Sequence, residues 1–290
     1  MTQATCSDEL YSTKLTLWTP AVLLEFKAKL SLGFGVQLDF EVQSDASSFG
    51  VQSEALGFEV ELTMTKDIPV YYFSKIKDDE LRTLVKIKQK FSNPIFDNWF
   101  NYQIILKDND IQFITELLNK EFYFIRIYKE EDLKVKFIAP ILNRIDFRDV
   151  NKEIRDFYEE KITYQTDKFI FTGTTDFLIS KGLEYSEKPY FFIQEFKKGK
   201  ESSYPESQLL AELIAGVELN NFKTIKGAYI VGAIWNFVIL EKLAEGHYQF
   251  FISINFDSTK IEELKGIYKN LLFIKDEIFK MVESDFLENQ

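Results

Sequence analysis

Between Lys168 and Asn220 the pattern of apolar and polar positions passes from strand-like to helical. Phe169-Ile-Phe-Thr-Gly-Thr-Thr-Asp176 and Tyr190-Phe-Phe-Ile-Gln-Glu-Phe-Lys197 are dense in aromatic and β-branched residues and predict two strands. Pro205-Glu-Ser-Gln208 then opens a segment in which Leu209, Leu210, Leu213, Ile214 and Val217 recur at helical spacing, which predicts an amphipathic helix with a wide apolar face. Downstream, Gly227 to Ile234 predicts a buried strand. Phe237 to Leu240 and Tyr248 to Asn255 predict a pair around Ala244-Glu-Gly-His247, and Ile261 to Phe286 a closing helix.

Upstream the pattern is more broken. Lys14 to Trp18, Phe34 to Val42 and Phe58 to Leu62 alternate as strands do, while Ala21 to Leu30 predicts a short helix. Phe34-Gly-Val-Gln37 recurs as Phe49-Gly-Val-Gln52, and Leu38-Asp-Phe-Glu-Val42 as Leu56-Gly-Phe-Glu-Val60; two copies fit a duplicated hairpin strand but fall short of the three or more units of a solenoid. Asp78 to Phe91 and Asp110 to Leu118 carry helical stripes, with Ser92-Asn-Pro94 as a stop between them. Phe122 to Tyr128 and Leu133 to Ile138 predict a hairpin around Lys129-Glu-Glu-Asp132. Asp149 to Lys161 predicts a helix facing inward with Val150, Ile154, Phe157 and Tyr158.

The bulk numbers narrow the choices. A chain of 290 residues, 46% hydrophobic and with 29 phenylalanines, can bury a substantial core as one large or two small domains. No apolar run reaches the roughly 20 residues of a spanning helix, and the first residues lack a basic and apolar leader pattern, so a soluble cytoplasmic protein without membrane contact is expected. Cys6 and His247 are the only residues of their kinds, which excludes disulfides, zinc clusters and a Cys/His dyad with any choice of histidine. A phosphate-binding Gly-rich loop and a Gly-x-Ser-x-Gly elbow are also absent. The net charge of −11 argues against a surface that clings everywhere to nucleic acid; Lys197, Lys198 and Lys200 form a local basic strip, read either as a binding strip or as a solvated strand end.

Acids arrive where these strands should be apolar. Glu195 and Lys197, two apart on one strand, face the same side with starting points about 6–7 Å apart. An acid in one strand, Glu-x-Lys in the next and a helix opening on a polar residue resembles the PD-(D/E)XK superfamily of restriction-endonuclease-like nucleases, over roughly Ala139 to Asp257. Thr175 stands where the family name has proline, and Gln208-x-x-x-Glu212 where some relatives have glutamine followed by tyrosine.

The resemblance implies an α/β fold: a restriction-endonuclease-like core, a mixed central sheet flanked by helices in the order αβββαβ over 139–290, behind an N-terminal α+β accessory region over 1–138. It implies a Mg²⁺ site, with Mn²⁺ as substitute, held by Asp176 and Glu195 and by Glu160 or Glu159 from the first core helix. Lys197 would position the attacking water and offset charge, since a lysine near its ordinary pKa of about 10.4 is a poor base. Gln208 reads either as a hydrogen-bonding partner of water, Lys197 or phosphate, or as a helix-end residue. Gly173 admits a bend, a bulge or a closely approaching substrate. DNA is the expected substrate ahead of RNA, cut endonucleolytically by a homodimer. The competing readings are a superfamily member that binds nucleic acid or protein without cutting, and a trio that is simply an internal ion pair.

Overall fold

The structure, a computed structural model, describes residues 11–19, 22–30, 51–53, 58–60, 68–197 and 205–288. The chain divides into two units, 1–67 and 68–290. In the first, β1 (Tyr11–Thr19) pairs antiparallel with β2 (Val22–Leu30), and β3 (Val51–Ser53) with β4 (Phe58–Val60). The segment expected as a helix at Ala21 to Leu30 is therefore a strand over Val22–Leu30, paired in register along the whole of β1. The expected strand Phe34 to Val42, the repeat it belongs to, Cys6 and the lysines at 198 and 200 lie outside the described residues.

The second unit is built on a nine-stranded mixed sheet. Its strands are β5 (Val70–Tyr72), β6 (Lys86–Gln89), β7 (Ile154–Gln165), β8 (Ile170–Lys181), β9 (Glu187–Lys197), β10 (Thr224–Val231), β11 (Ile234–Ala244), β12 (His247–Ile252) and β13 (Phe256–Asp257). The path runs β5-β8-β9-β10-β11-β12-β6, with β7 on the far edge of β8 and β13 on β11. The β9–β10 pair is parallel, the β8–β9 and β10–β11 pairs antiparallel. The division of the chain at 67/68, upstream of 138/139, has a plain cause: β5 pairs with β8 and β6 with β12, so residues 68–138 supply two strands of this sheet.

Helices α1 (Asp78–Leu84), α2 (Asp97–Phe100), α3 (Asp108–Glu121), α4 (Glu130–Leu133), α5 (Ala139–Ile145), α6 (Pro205–Asn220) and α7 (Ile261–Glu288) cover the sheet. One core joins Phe192 and Phe196 of β9 to Ile141 of α5, Ile114 of α3 and Leu264, Ile267 and Leu271 of α7. The other joins Ile193 of β9 to Leu81 of α1 and to Leu209, Leu213 and Val217 of α6. Neighbouring residues of β9 thus point into opposite layers, as strand alternation requires. Gly227 lets α6 and β10 close up: a Cβ there would stand 2.7 Å from the Ile193 carbonyl and 3.0 Å from Leu213.

Three further expectations are corrected. Asp149 to Lys161 is mostly strand β7, and Val150, counted as inward, is 73% exposed; Ile154, Phe157 and Tyr158 have helical spacing, and pairing along β8 overrides it. The helix expected at Asp78 to Phe91 ends after two stripe positions, so Leu81 and Leu84 lie in α1 and Ile87 in β6. The hairpin expected at Phe122 to Ile138 is not formed: 122–129 is a turn and loop, and from Glu130 on α4 runs into a π-helical stretch, Lys134–Ile138, and on into α5. Buried Leu133, Phe137, Ile138 and Ile141 share one side, a helical spacing that outweighs the local alternation.

Candidate active site

The site lies where the sheet opens. One edge of β8 is paired along its length with β7, but its other edge is shared: β5 takes Ile170 to Thr172, and β9 takes Phe177 to Lys181. Gly173 to Asp176 fall between the two. Gly173 faces Phe73, whose Cδ2 would be 2.8 Å from a Cβ at that position, so the glycine admits this ring. Asp176 closes the gap on the other side. Its Oδ2 accepts a hydrogen bond from the Phe196 backbone N–H at 2.8 Å, in place of the ladder bond the parting strands no longer make.

Glu195 and Lys197 follow on β9, on the face that carries Ile193 toward α6. Glu195 is fully buried, and neither carboxylate oxygen has a hydrogen-bond partner; the Lys197 ammonium lies against one of them as an ion pair. Burial pushes the Glu195 carboxyl well above its usual range, and the neighbouring Asp176 charge pushes it further. For Lys197 burial opposes the charge, yet Glu195, Asp176 and Glu130 outweigh it and hold the ammonium above the ordinary lysine range. Lys197 also faces Glu130 Oε1 of α4 at 3.6 Å. The side chains of Asp176 and Lys197 keep 17% and 14% of their surface open, so solvent reaches the site past them.

From α6, Gln208 and Glu212 face the same region, both buried. Gln208 Nε2 donates to Glu212 Oε1 at 3.1 Å, leaving Gln208 Oε1 and Glu212 Oε2 without partners. Burial and the Glu195 charge push the Glu212 carboxyl well up as well. Gln208 is thereby brought to the cluster, paired with Glu212.

Glu160 is not. It pairs in register with Thr175 of β8, one residue from Asp176 and therefore on the opposite face, and its Oε2 accepts a hydrogen bond from Ser186 Oγ at 2.9 Å. Glu159, the other glutamate of that pair, does approach. It takes a left-handed backbone conformation, φ 56°, between the paired positions Tyr158↔Phe177 and Glu160↔Thr175, and it holds an ion pair with Lys134. Backbone of this kind in a non-glycine residue costs of order 1–3 kcal/mol and clusters at functional sites.

Lys134 is the group that sequence reasoning missed. It opens the π-helical stretch, is almost wholly buried, and places its ammonium 3.3 Å from Asp176 Oδ1 and 5.7 Å from the Phe196 ring centroid. Burial works against its charge, but Glu159 and Asp176 raise its pKa overall. Two lysines thus flank the Asp176–Glu195 pair. A π-helical turn in the middle of a helical run is the one local signal of such a site, and it belongs to conformation, not composition.

Among the described residues no group of three or more His, Cys, Asp or Glu side chains is arranged to hold a metal ion. Two carboxylates suffice for Mg²⁺, which keeps several waters and binds through one or two carboxylates plus substrate phosphate. The fully buried Glu195 beside Asp176 fits that requirement, because its Oε2 has no partner and its Oε1 has only the Lys197 ammonium against it. No protein-family model matches the chain, and no curated protein matches its sequence.

Proposed function

We propose that the chain is a metal-dependent phosphodiester hydrolase of the PD-(D/E)XK type, with a restriction-endonuclease-like core and DNA as its substrate. The observation that carries this reading is the pairing of Asp176 with Glu195 and Lys197 at the parting of β8 and β9. In outline the mechanism follows from these side chains. Asp176 and Glu195 would hold Mg²⁺, or Mn²⁺ in its place, which when bound supplies charge neutralisation and a nucleophile at neutral pH. Lys197, kept cationic by its acidic neighbours, orients the attacking water and stabilises charge gathering on the phosphate oxygens. Lys134, on the other side of Asp176, fixes that carboxylate's orientation and adds a second positive field. Gln208, with its carbonyl oxygen unpartnered, offers an acceptor for a water hydrogen.

The wider reading is a cytoplasmic endonuclease acting as a homodimer, one site to each strand. No helix among the described residues is long and apolar enough to cross a membrane. The test is incubation of the purified chain with plasmid DNA, single-stranded DNA and RNA, with Mg²⁺ or Mn²⁺ and with chelator. Cleavage that needs metal and disappears in Asp176→Ala and Lys197→Ala supports the assignment; cleavage unchanged in those variants refutes it. The second reading, a non-cutting binding module, is favoured by the closure of Glu195 onto Lys197. Calorimetric titration with Mg²⁺ separates the two: heat of binding that vanishes in Asp176→Ala belongs to the hydrolase alone.

A further inference from the structure

The loop that leads into α4 carries the most concentrated exposed aromatic surface of the second unit. Phe122 and Phe124 are half exposed and Tyr123 is 81% exposed, followed by exposed Ile127. A large open apolar patch on a soluble chain marks a binding surface. The rings are not a loose hydrophobic smear. Phe122 and Tyr123 stand edge to face at 5.4 Å, while Tyr128 is already engaged, stacked on Phe124 on one side and covered by Lys136 at 4.9 Å from its centroid. The outward rings are therefore braced from behind and present free faces.

Two features decide what such rings would meet. Exposed Arg126 and Lys129 are interleaved with them, and among the described residues neither forms a salt bridge. Aromatic faces beside exposed cations are the surface that stacks bases and tracks phosphates of an unpaired strand; a duplex hides its base faces and gains nothing from the rings. The surface is also continuous with the candidate site. Lys129 is followed directly by Glu130, which faces Lys197 at 3.6 Å, and Lys134, one turn further on, reaches Asp176.

We infer that Phe122 to Lys129 is a platform for single-stranded nucleic acid, which feeds an unpaired strand or splayed end to the carboxylates. The inference deepens the hydrolase reading, and its choice of substrate rests on it. The binding surface itself does not.

The test is fluorescence anisotropy of a labelled oligothymidylate, and of a blunt duplex of equal length, titrated with the full chain in chelator so that nothing is cut. Wild type should bind the single strand more tightly than the duplex. Tyr123→Ala, at a position too exposed to leave a cavity, should weaken the single strand about tenfold, the value of one lost stacked base, and leave the duplex unchanged. Tyr123→Trp should restore binding, and Arg126→Ala should lower the salt slope by about one. Wild-type binding to the single strand that is absent, or is equal in Tyr123→Ala, or a loss shared by the duplex, overturns the platform. Plasmid cleavage without oligothymidylate binding leaves the hydrolase standing and removes the platform; binding as described without metal-dependent cleavage does the reverse.

Discussion

Asp176 accepts a hydrogen bond from the backbone N–H of Phe196 at 2.8 Å, across the point where the two strands that carry them separate. A side chain has taken over from a carbonyl of its own strand, so the carboxylate that would hold metal is also the clasp that ends the β8–β9 ladder. Asp176→Ala should therefore cost both functions: metal-dependent cleavage disappears, and the lost charge-assisted bond lowers stability by about 1.5–3 kcal/mol in urea denaturation. Asp176→Asn, which keeps an acceptor, should recover most of the stability and none of the cleavage.

Glu195 sits fully buried with Oε2 unpartnered and Oε1 compensated only by the Lys197 ion pair, a costly arrangement for an ionised carboxylate. Glu195→Gln should abolish cleavage and raise the thermal midpoint of the metal-free protein by about 2–4 °C, what roughly 1 kcal/mol is worth in a domain of this size. A fall of several degrees, measured by calorimetry in chelator, would show that the carboxylate is a structural ion-pair partner first.

The raised pKa of Glu195 and Glu212 fixes the sign of a pH effect. A carboxyl that holds its proton more tightly when folded than unfolded favours the folded state below its unfolded value, about 4.3, and that advantage is lost as pH rises through the folded value. In chelator, stability should therefore fall from pH 5 toward pH 8, and the slope should flatten in Glu195→Gln/Glu212→Gln. Lys197 is raised too and has the same sense, but both its unfolded and its folded values lie far above this window, so it contributes no slope there. Denaturant titrations at several pH values give the slope directly.

Lys197 is held cationic, which suits orientation and charge stabilisation and not proton abstraction. Lys197→Arg, permanently charged, should retain cleavage within about tenfold of wild type, whereas Lys197→Met should lose about a hundredfold or more. Equal loss in both would point to lysine as the base. Lys134→Met should reduce cleavage through Asp176 and cost about 1–2 kcal/mol, discounted because its partner Glu159 is largely exposed.

Gly173→Ala places a methyl group 2.8 Å from Phe73 Cδ2. Overpacking of this kind costs about 1–3 kcal/mol. The double variant with Phe73→Ala should be more stable than the sum of the two single changes, which a double-mutant cycle by urea denaturation reads out.

The elements legible in the sequence were those whose burial is set by their own composition. Phe191 to Phe196 reads as a strand inside a core and Leu209 to Val217 as a helix on it, and those elements, with β8, carry Asp176, Glu195, Lys197 and Gln208. What failed was decided by neighbours far along the chain. Ile154, Phe157 and Tyr158 are spaced as on a helix, yet β8 pairs with all of them, and that choice carries Glu160 away from the site while bringing Glu159 toward it. Lys134 lies 42 residues ahead of Asp176, in a stretch whose Val135 and Phe137 alternate like a strand; nothing local announces that a widened helical turn delivers its ammonium to a carboxylate.

Two short segments from upstream, Val70–Tyr72 and Lys86–Gln89, complete the sheet at its outer positions. A gene fragment cut to begin at residue 139 would keep every acid and lysine of the Asp-Glu-x-Lys signature, yet would leave the half of β8 just before Asp176 with bare amides and carbonyls along one side. Such an open border invites pairing with other chains. Minimal expression clones of this protein should start no later than residue 68, and shorter ones should be recovered as aggregates.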